Sequence, residues 1–537
     1  MTQRERIYLF DTTLRDGQQT PGIDFSVDDK ITIANMLDAF GFDMIEGGYP
    51  GANPTDTAFF QQKRTSHGQF VAFGMTKRAG VSASNDPGLV GLLQSKSDAI
   101  CFVGKAWDYH VELALGCTLE ENLDCITQSV EATIAAGKTA MVDCEHFFDG
   151  WKANPDYAIA CAKTAFDAGA RWVVLCDTNG GTQPDEIRSA VAALIAAGVP
   201  GDRLGIHAHN DTEQAVANSL AAIDAGVRQV QGTLNGIGER CGNANLVTLV
   251  GTLGLKPQWS NRFETGIFDL SGLTALSRSF DELLNRSPHL QSPYVGASAF
   301  ATKAGIHASA LLKDPKTYEH VDPVAVGNTR KVMVSDQGGK SNFINELSRR
   351  GITVMKNDPR LDTLIALVKE REASGSAYEG ADASFELLAR RILGDVPNFF
   401  EVDSFRASVE RRFNAKGEIV TQSEAVVKIT VDGKQHMSVA EGQGPVNALD
   451  LALRKDLGKY QDDIADLELV DYKVRILNGG TEAITRVLIE STDRTGKRWW
   501  TVGVSDNIID ASFMALMDSV IFKLMKNRGE AGLVAAE

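Results

Sequence analysis

The stretch Arg203-Leu204-Gly205-Ile206-His207-Ala208-His209-Asn210-Asp211 runs from an apolar segment into two histidines spaced i, i+2. On a β-strand such residues share a face, so His207 and His209 would set two imidazoles side by side where a strand ends. Neutral imidazole is a common ligand for divalent metals. The plainer reading is a pair of polar residues hydrogen-bonded at a strand terminus, and this stretch alone leaves both open. Other apolar runs also end in polar residues: Asp11, Arg15 and Asp16; Glu46; Asp143 and Glu145; Asp177 and Thr178; and the segment Asn235-Gly236-Ile237-Gly238-Glu239-Arg240-Cys241-Gly242-Asn243. Any one of them could be a solvated loop residue or a cap. Gathered in one place they would line a cup with carboxylates, imidazoles, amides and an arginine. An aspartate, two histidines and an amide oxygen would hold a divalent cation and leave positions open for a substrate.

Such a cup needs strands to present it. Short β-branched and aromatic runs fall at Ile7–Thr13, Met44–Tyr49, Phe70–Met75, Ala99–Val103, Thr139–Glu145, Trp172–Thr178, Leu204–His209 and Gln229–Leu234. Between them lie helical patterns at Val27–Phe40, Leu119–Ala136, Pro155–Ala168, Pro184–Ala197, Glu213–Ala225 and Ala244–Leu253. Ser26 and Thr118 stand at N-cap positions and prolines at first turns; Gly41, Gly137, Gly169, Gly198 and Gly226 mark the stops. Eight strands alternating with helices over about 255 residues predict an α/β fold, a (β/α)8 TIM barrel, with chemistry at the C-terminal strand ends. A doubly wound sheet is the alternative, but it would normally place a Gly-rich phosphate loop after the first strand. Here that strand runs into Asp11-Thr12-Thr13-Leu14-Arg15-Asp16-Gly17.

At 537 residues the chain exceeds one ordinary domain. A net charge of −16 argues against a nucleic-acid or anionic-membrane partner. No apolar run approaches the roughly 18 to 20 residues of a transmembrane helix, and the N-terminus has no signal-peptide core. Seven cysteines without a CxxC pair fit reduced thiols and a cytoplasmic protein. Residues 271–396 show helical patterning without a strand series. From about Asp403 a strand–strand–strand–helix unit occurs twice, aligning Asn447 with Asp510 and Ala448 with Ala511. The loops before the two helices carry Gly442, Gly444 and Asn447, and Ser505, Asp506 and Asp510. Free N–H groups there suit a carboxylate; a tight turn with an N-cap explains them equally well.

DTTLRDGQQ at 11–19, HAHND at 207–211 and NGIGERCGNANL at 235–246 resemble the signatures of the DRE-TIM metallolyase superfamily, in that order and on the expected strand ends. Within it the chain resembles the Claisen-condensing synthases of isopropylmalate, homocitrate and citramalate. AGIHASALLKDPKTYEHVDPVAVGN at 304–328 and VSDQGGKSN at 334–342 resemble the citramalate branch most. The resemblance implies a catalytic barrel over residues 1–270, helical linker subdomains over 271–396, and an α+β duplicated ββ(β)α regulatory and dimerisation domain over 397–537.

It further implies an acyltransferase that joins acetyl-CoA and a 2-oxo acid, pyruvate favoured, with water to give (R)-citramalate and CoA, on a route to isoleucine. A divalent metal (Mn, Mg or Zn) would be held by Asp16, His207, His209 and Asn243. Arg15 would stabilise the alkoxide and Glu46 would hold Arg15. Thr178 and Asp143 would contact the substrate. Glu145 with His307 would supply the base or its relay, with Tyr318 beside them. Isoleucine would bind the C-terminal loops of a homodimer. Three alternatives accompany this reading: isopropylmalate synthase, with 2-oxoisovalerate as acceptor; a hydroxymethylglutaryl-CoA-type lyase; and a silent amino-acid sensor on a barrel scaffold. Cys241 lies in GERCGN, the synthase pattern, and is read as non-catalytic.

Overall fold

The computed structural model describes residues 4–62, 67–303, 305–332, 339–477 and 483–534. Of the segments used above, Met1–Gln3, Ala304 and Val334–Gly338 lie outside the described residues. The chain divides into two compact units, Met1–Phe300 with His320–Arg330, and Ala301–Glu319 with Lys331–Glu537.

In the first unit eight parallel strands close into a barrel: β1 (Tyr8–Asp11), β2 (Met44–Gly48), β3 (Gln69–Met75), β4 (Ala99–Lys105), β5 (Thr139–Glu145), β6 (Trp172–Asp177), β7 (Leu204–Ala208) and β8 (Gln229–Gly232), with β8 pairing back to β1. Period-two alternation divides each strand between two environments. Phe10, Met44, Val71, Ala99, Cys101, Met141, Trp172, Val174 and Cys176 pack together inside the barrel. Their neighbours Leu9, Ile45, Phe70, Ile100, Val142, Val173 and Leu175 join the larger core shared with the helices. The same register carried two residues onward from Met44 and Met141 brings Glu46 and Asp143 to the inner face. Gly205 to His207 and Gln229 to Gln231 follow the same step. The interior therefore has an apolar floor and a polar layer above it, at the C-terminal end of the strands.

The helices follow their caps. α1 (Val27–Phe40) starts with a Ser26–Asp29 capping box and stops at Gly41, which is left-handed at φ 105. Three helices lie where the sequence pattern showed none: α2 (Pro54–Gln61), capped by Asn53, α3 (Pro87–Gln94), capped by Asp86, and, further along, the helix at Phe147–Ala153. Seven or eight residues give about two turns, too few for a helical period to stand out. α4 (Leu119–Ala135), α5 (Phe147–Ala153), α6 (Pro155–Asp167), α7 (Pro184–Ala196), α8 (Ala215–Ala225), α9 (Leu246–Leu255) and α10 (Leu273–Leu283) complete the first unit's main helices. α8 begins two residues later than the pattern suggests, because Glu213 is at φ 56 and cannot be helical. Buried Lys30 on α1 donates to the carbonyls of Leu14 (2.8 Å) and Gly47 (3.0 Å) and pairs with Asp56. It thereby ties the loop of Arg15 to the end of the strand bearing Glu46.

The second unit holds α11 (Gly305–Leu311), α12 (Lys340–Arg349), α13 (Pro359–Ala373) and α14 (Asp382–Leu393), then the duplicated α+β part. Its first repeat is an antiparallel sheet of β9 (Glu401–Phe413), β10 (Ile419–Val431) and β11 (Lys434–Gly442), followed by α15 (Pro445–Lys455). The second is β12 (Glu468–Ile476), β13 (Thr485–Thr492) and β14 (Arg498–Ser505), followed by α16 (Ile508–Val534). Both first strands slip register after their second residue, between Val402 and Ser404 and between Leu469 and Asp471. A shared irregularity at one place supports duplication of a single unit. The central strands β10 and β13 alternate buried and half-buried residues, whereas β9 and β12 are exposed along most of their length.

No helix among the described residues is long and apolar enough to cross a membrane. All seven cysteines are free, and only Cys241 is exposed.

Candidate active site

The polar layer of the barrel is a connected network. Asp16 Oδ2 lies 3.2 Å from His207 Nε2 and 3.5 Å from His209 Nε2, and all three side chains are buried. Arg15 reaches Glu46 Oε2 through Nε (2.7 Å), Asp16 Oδ2 through Nη1 (3.1 Å) and Asp143 Oδ2 through Nη2 (4.0 Å). Its guanidinium also lies over the Phe73 ring, 4.0 Å from the centroid. Thr12 Oγ1 donates to the same Glu46 oxygen at 2.5 Å. Asp143 Oδ1 accepts from Gln231 Nε2 at 2.9 Å and from the Cys101 thiol at 3.2 Å. Gln231 Oε1 faces His207 Nδ1 at 2.8 Å. An amide oxygen only accepts, so His207 carries a proton on Nδ1 and turns Nε2 toward Asp16.

Electrostatics follow from this wiring. Burial by itself would raise the Asp16 pKa. Arg15, with the hydrogen bonds from His207 and His209, overcomes it and holds the carboxyl well below its ordinary range. Burial would lower the Arg15 pKa, but Glu46, Asp16 and Asp143 raise it, so the guanidinium stays charged. Burial likewise opposes protonation of His207, and Asp16 reverses the balance. Asp16 and the two imidazoles are thus arranged for a positive charge among them, which a proton or a cation can supply.

The donor set fits a divalent metal. Asp16, His207 and His209 each offer an atom within one small cluster. Asp16 Oδ1 and Asn243 Oδ1 are buried with no hydrogen-bond partner among the described residues. An orphaned buried carboxylate oxygen is costly unless a cation uses it. Asn243 bridges His209 through the backbone and is anchored by Nδ2 donating to the Ile237 carbonyl at 3.2 Å. Its loop depends on Gly242: φ is +86, and a Cβ there would meet the Gly236 carbonyl at 2.0 Å.

Arg15, Asp16, Glu145, Thr178, His207 and His209 line one cavity of about 210 Å³. The Thr178 hydroxyl accepts from the His146 amide at 2.8 Å, so its own proton is left to donate. Glu145 pairs with Lys105. The structure therefore brings the barrel residues of the sequence reading together. Asp143 lines the same cavity, with its Oδ1 engaged by Gln231 and Cys101. His307 and Tyr318 belong to the second unit, where their rings stack at 4.3 Å. Gly442 ends β11, Gly444 caps α15, Asn447 lies in its first turn, Ser505 ends β14 with Asp506 following it, and Asp510 lies in the first turn of α16.

Sequence reasoning missed Gln231, Lys105 and the role of Arg240. Gln229 and Gln231 alternate with valine on a strand, a signal for two inward polar positions. Arg240 pairs with Asp211 (2.8 Å) and donates to His209 Nδ1 (2.6 Å) and the Thr178 carbonyl (2.8 Å). It joins two motifs that are far apart in the chain.

A closed (β/α)8 barrel with an Asp–His–His donor set and a buried arginine at its C-terminal mouth defines a class, the barrel enzymes with a metal-type centre. Residues 6–277 match the HMGL-like family, 294–375 the homocitrate synthase post-HMGL domain-like family, and 379–523 the LeuA allosteric (dimerisation) domain. The chain is 47 % identical over 532 residues to an (R)-citramalate synthase of Aquifex aeolicus, covering 98 % of this chain and 99 % of that one. It is 48 % identical to an (R)-citramalate synthase of Streptomyces coelicolor, covering 99 % and 98 %. A probable 2-isopropylmalate synthase of Methanopyrus kandleri stands at 31 %, covering 96 % and 98 %. The chain belongs to the (R)-citramalate synthase family.

Proposed function

We propose that this chain condenses acetyl-CoA with pyruvate and water to give (R)-citramalate and CoA, transferring the acyl group as an alkyl group. The observation that carries this is identity of 47–48 % to (R)-citramalate synthases over nearly the whole of both chains. Asp16, His207, His209 and Asn243 would hold a divalent cation, whose chemistry is to polarise the keto group of a chelating 2-oxo acid. Arg15 stands ready, charged and clamped by Glu46, to stabilise negative charge developing on the keto oxygen. Because Glu46, Thr12 and Phe73 already fix the guanidinium, little reorganisation is spent during reaction. Thr178 donates to the substrate carboxylate. Glu145 removes the methyl proton of acetyl-CoA, a weak acid that needs a positioned base. Asp143 orients Gln231 and Arg15. His307 and Tyr318 are acid–base candidates on the resemblance.

The second unit is proposed to bind isoleucine at Gly442, Gly444, Asn447, Ser505, Asp506 and Asp510, and to form a homodimer. Val409, Phe413, Val474 and Ile476 stand exposed on β9 and β12, as a surface awaiting a second copy would present them. A cytoplasmic location completes the reading.

The test is CoA thiol release by the purified chain with pyruvate, 2-oxoisovalerate or 2-oxoglutarate, each with and without EDTA. EDTA-sensitive release fastest with pyruvate is expected. Preference for 2-oxoisovalerate would move the chain to leucine synthesis, and no release with any acceptor would overturn the synthase reading.

A further inference from the structure

Beside the cup lies a second group of donors. His110, Glu145 and His146 each offer a ligand atom, all within 4.8 Å of one another. Glu145 ends β5, and His146 follows it at φ 55, a left-handed backbone that is costly for a residue bearing a Cβ. His110 arrives from the short helical turn Asp108–His110 beyond β4. The two imidazole rings lie 4.2 Å apart by centroid, and Trp107 stacks on His110 at 5.1 Å.

The protons are arranged for ligation. His146 Nδ1 bonds Asp149 Oδ2 at 3.0 Å, and Asn179 Nδ2 donates to the same oxygen at 3.0 Å. A carboxylate accepts, so His146 carries a proton on Nδ1, and Nε2 is the ring nitrogen left for a ligand. This carboxylate–imidazole pairing is the one that orients metal-bound histidines. His110 Nδ1 is buried without a hydrogen-bond partner among the described residues. Among the described residues, Lys105 on Glu145 supplies the one positive charge bonded directly to the cluster.

We propose that His110, Glu145 and His146 form a second cation site, distinct from Asp16, His207 and His209, for the imidazole-preferring divalent metals, zinc above all. Two imidazoles and one carboxylate suit zinc, copper or nickel better than magnesium, which favours oxygen ligands. With zinc–nitrogen bonds of about 2.0–2.1 Å the donors must close inward, and Lys105 must give up part of its hold on Glu145. On the reading that Glu145 is the base, zinc here would seize the base and slow condensation.

Zinc content per chain after equilibrium dialysis of the full-length protein tests this without reference to turnover. The wild type is expected to hold two equivalents. His110→Ala and His146→Gln, on different elements, should each hold one, as should His207→Ala, which loses the other site. Lys105→Met should bind the second equivalent several-fold more tightly, a gain that misfolding cannot imitate. One equivalent in the wild type, or two in both His110→Ala and His146→Gln, overturns the site. In manganese-loaded enzyme, zinc should inhibit wild type several-fold and His110→Ala much less. Two bound zinc ions without inhibition would uphold the site and remove Glu145 from its proposed role as base.

Discussion

The barrel mouth and the loops that open α15 and α16 handle polar groups in opposite ways. At the mouth Arg15, Asp16, Glu46, Asp143, His207 and Gln231 are buried or nearly so, and each is bound to another of the set. In the C-terminal loops the bonds are local and exposed. Ser505 Oγ pairs with Asp506 at 3.2 Å and accepts from the Asn507 amide at 3.1 Å, while Asn447 Oδ1 accepts from the Gln443 amide at 3.1 Å. Burying charge is costly unless each member is paired, so a buried network tolerates few changes. An exposed loop costs little and can be rearranged by a ligand. The difference teaches that the barrel's polar groups are preorganised by the fold, whereas the loops are held by local bonds that a ligand could exchange.

The comparison breaks most sharply at the donor set. Asp16→Asn or His207→Ala should cut turnover by about a thousandfold or more, since donors and Lewis acidity go together. Turnover and retained metal should fall in parallel; a variant that keeps full activity without metal would sink the assignment. Arg15→Lys keeps the charge but loses the fork that grips Glu46 and Asp16, and should lower kcat by about a hundredfold or more. Pyruvate KM should move far less, because the interaction grows as charge develops. Gln231→Ala touches no substrate in this reading. It frees His207 Nδ1 and Asp143 together and should weaken metal affinity by about 10- to 100-fold. A chelator competition measures it, and an unchanged affinity would show that His207 needs no such support.

The eight strands and most helices were legible because alternation, caps and glycine stops are local signals. Strand ends then located Asp16, Glu46, Glu145, Thr178 and His207. The missing pieces were those whose meaning is non-local. Gln231 is one polar residue on a four-residue strand, and its partners His207 and Asp143 arrive from β7 and β5. Arg240 stands in a recognisable motif, yet its bonds to Asp211 and His209 depend on the loop folding through φ 53 at Arg240 and φ 86 at Gly242. Lys105 fell two residues beyond the predicted end of its strand. In the second unit the duplication was readable from its repeated loop–helix pattern. The role of each loop residue was not, because an exposed polar side chain that bonds its own neighbours has the same pattern with or without a ligand.

The two C-terminal loops also differ from each other, and that difference gives the smallest predicted effect on turnover. In the alignment that places Asn447 on Asp510, Gln443 falls on Asp506. The second loop therefore carries two carboxylates where the first carries two amides. A zwitterionic amino acid needs an anion for its ammonium and free N–H groups for its carboxylate. On the proposal that isoleucine binds and inhibits here, Asp506→Asn should leave turnover without isoleucine within about twofold, and should raise the concentration needed for half-inhibition by about tenfold, the worth of one charge-assisted bond. Gln443→Ala should shift that concentration by less than Asp506→Asn. Dose–response curves for both variants measure this. Equal shifts would mean that the loops bind alike despite their charge. A fall in basal turnover for Asp506→Asn would show that these loops are not separable from catalysis, and the contrast between the barrel and the C-terminal unit would then fail.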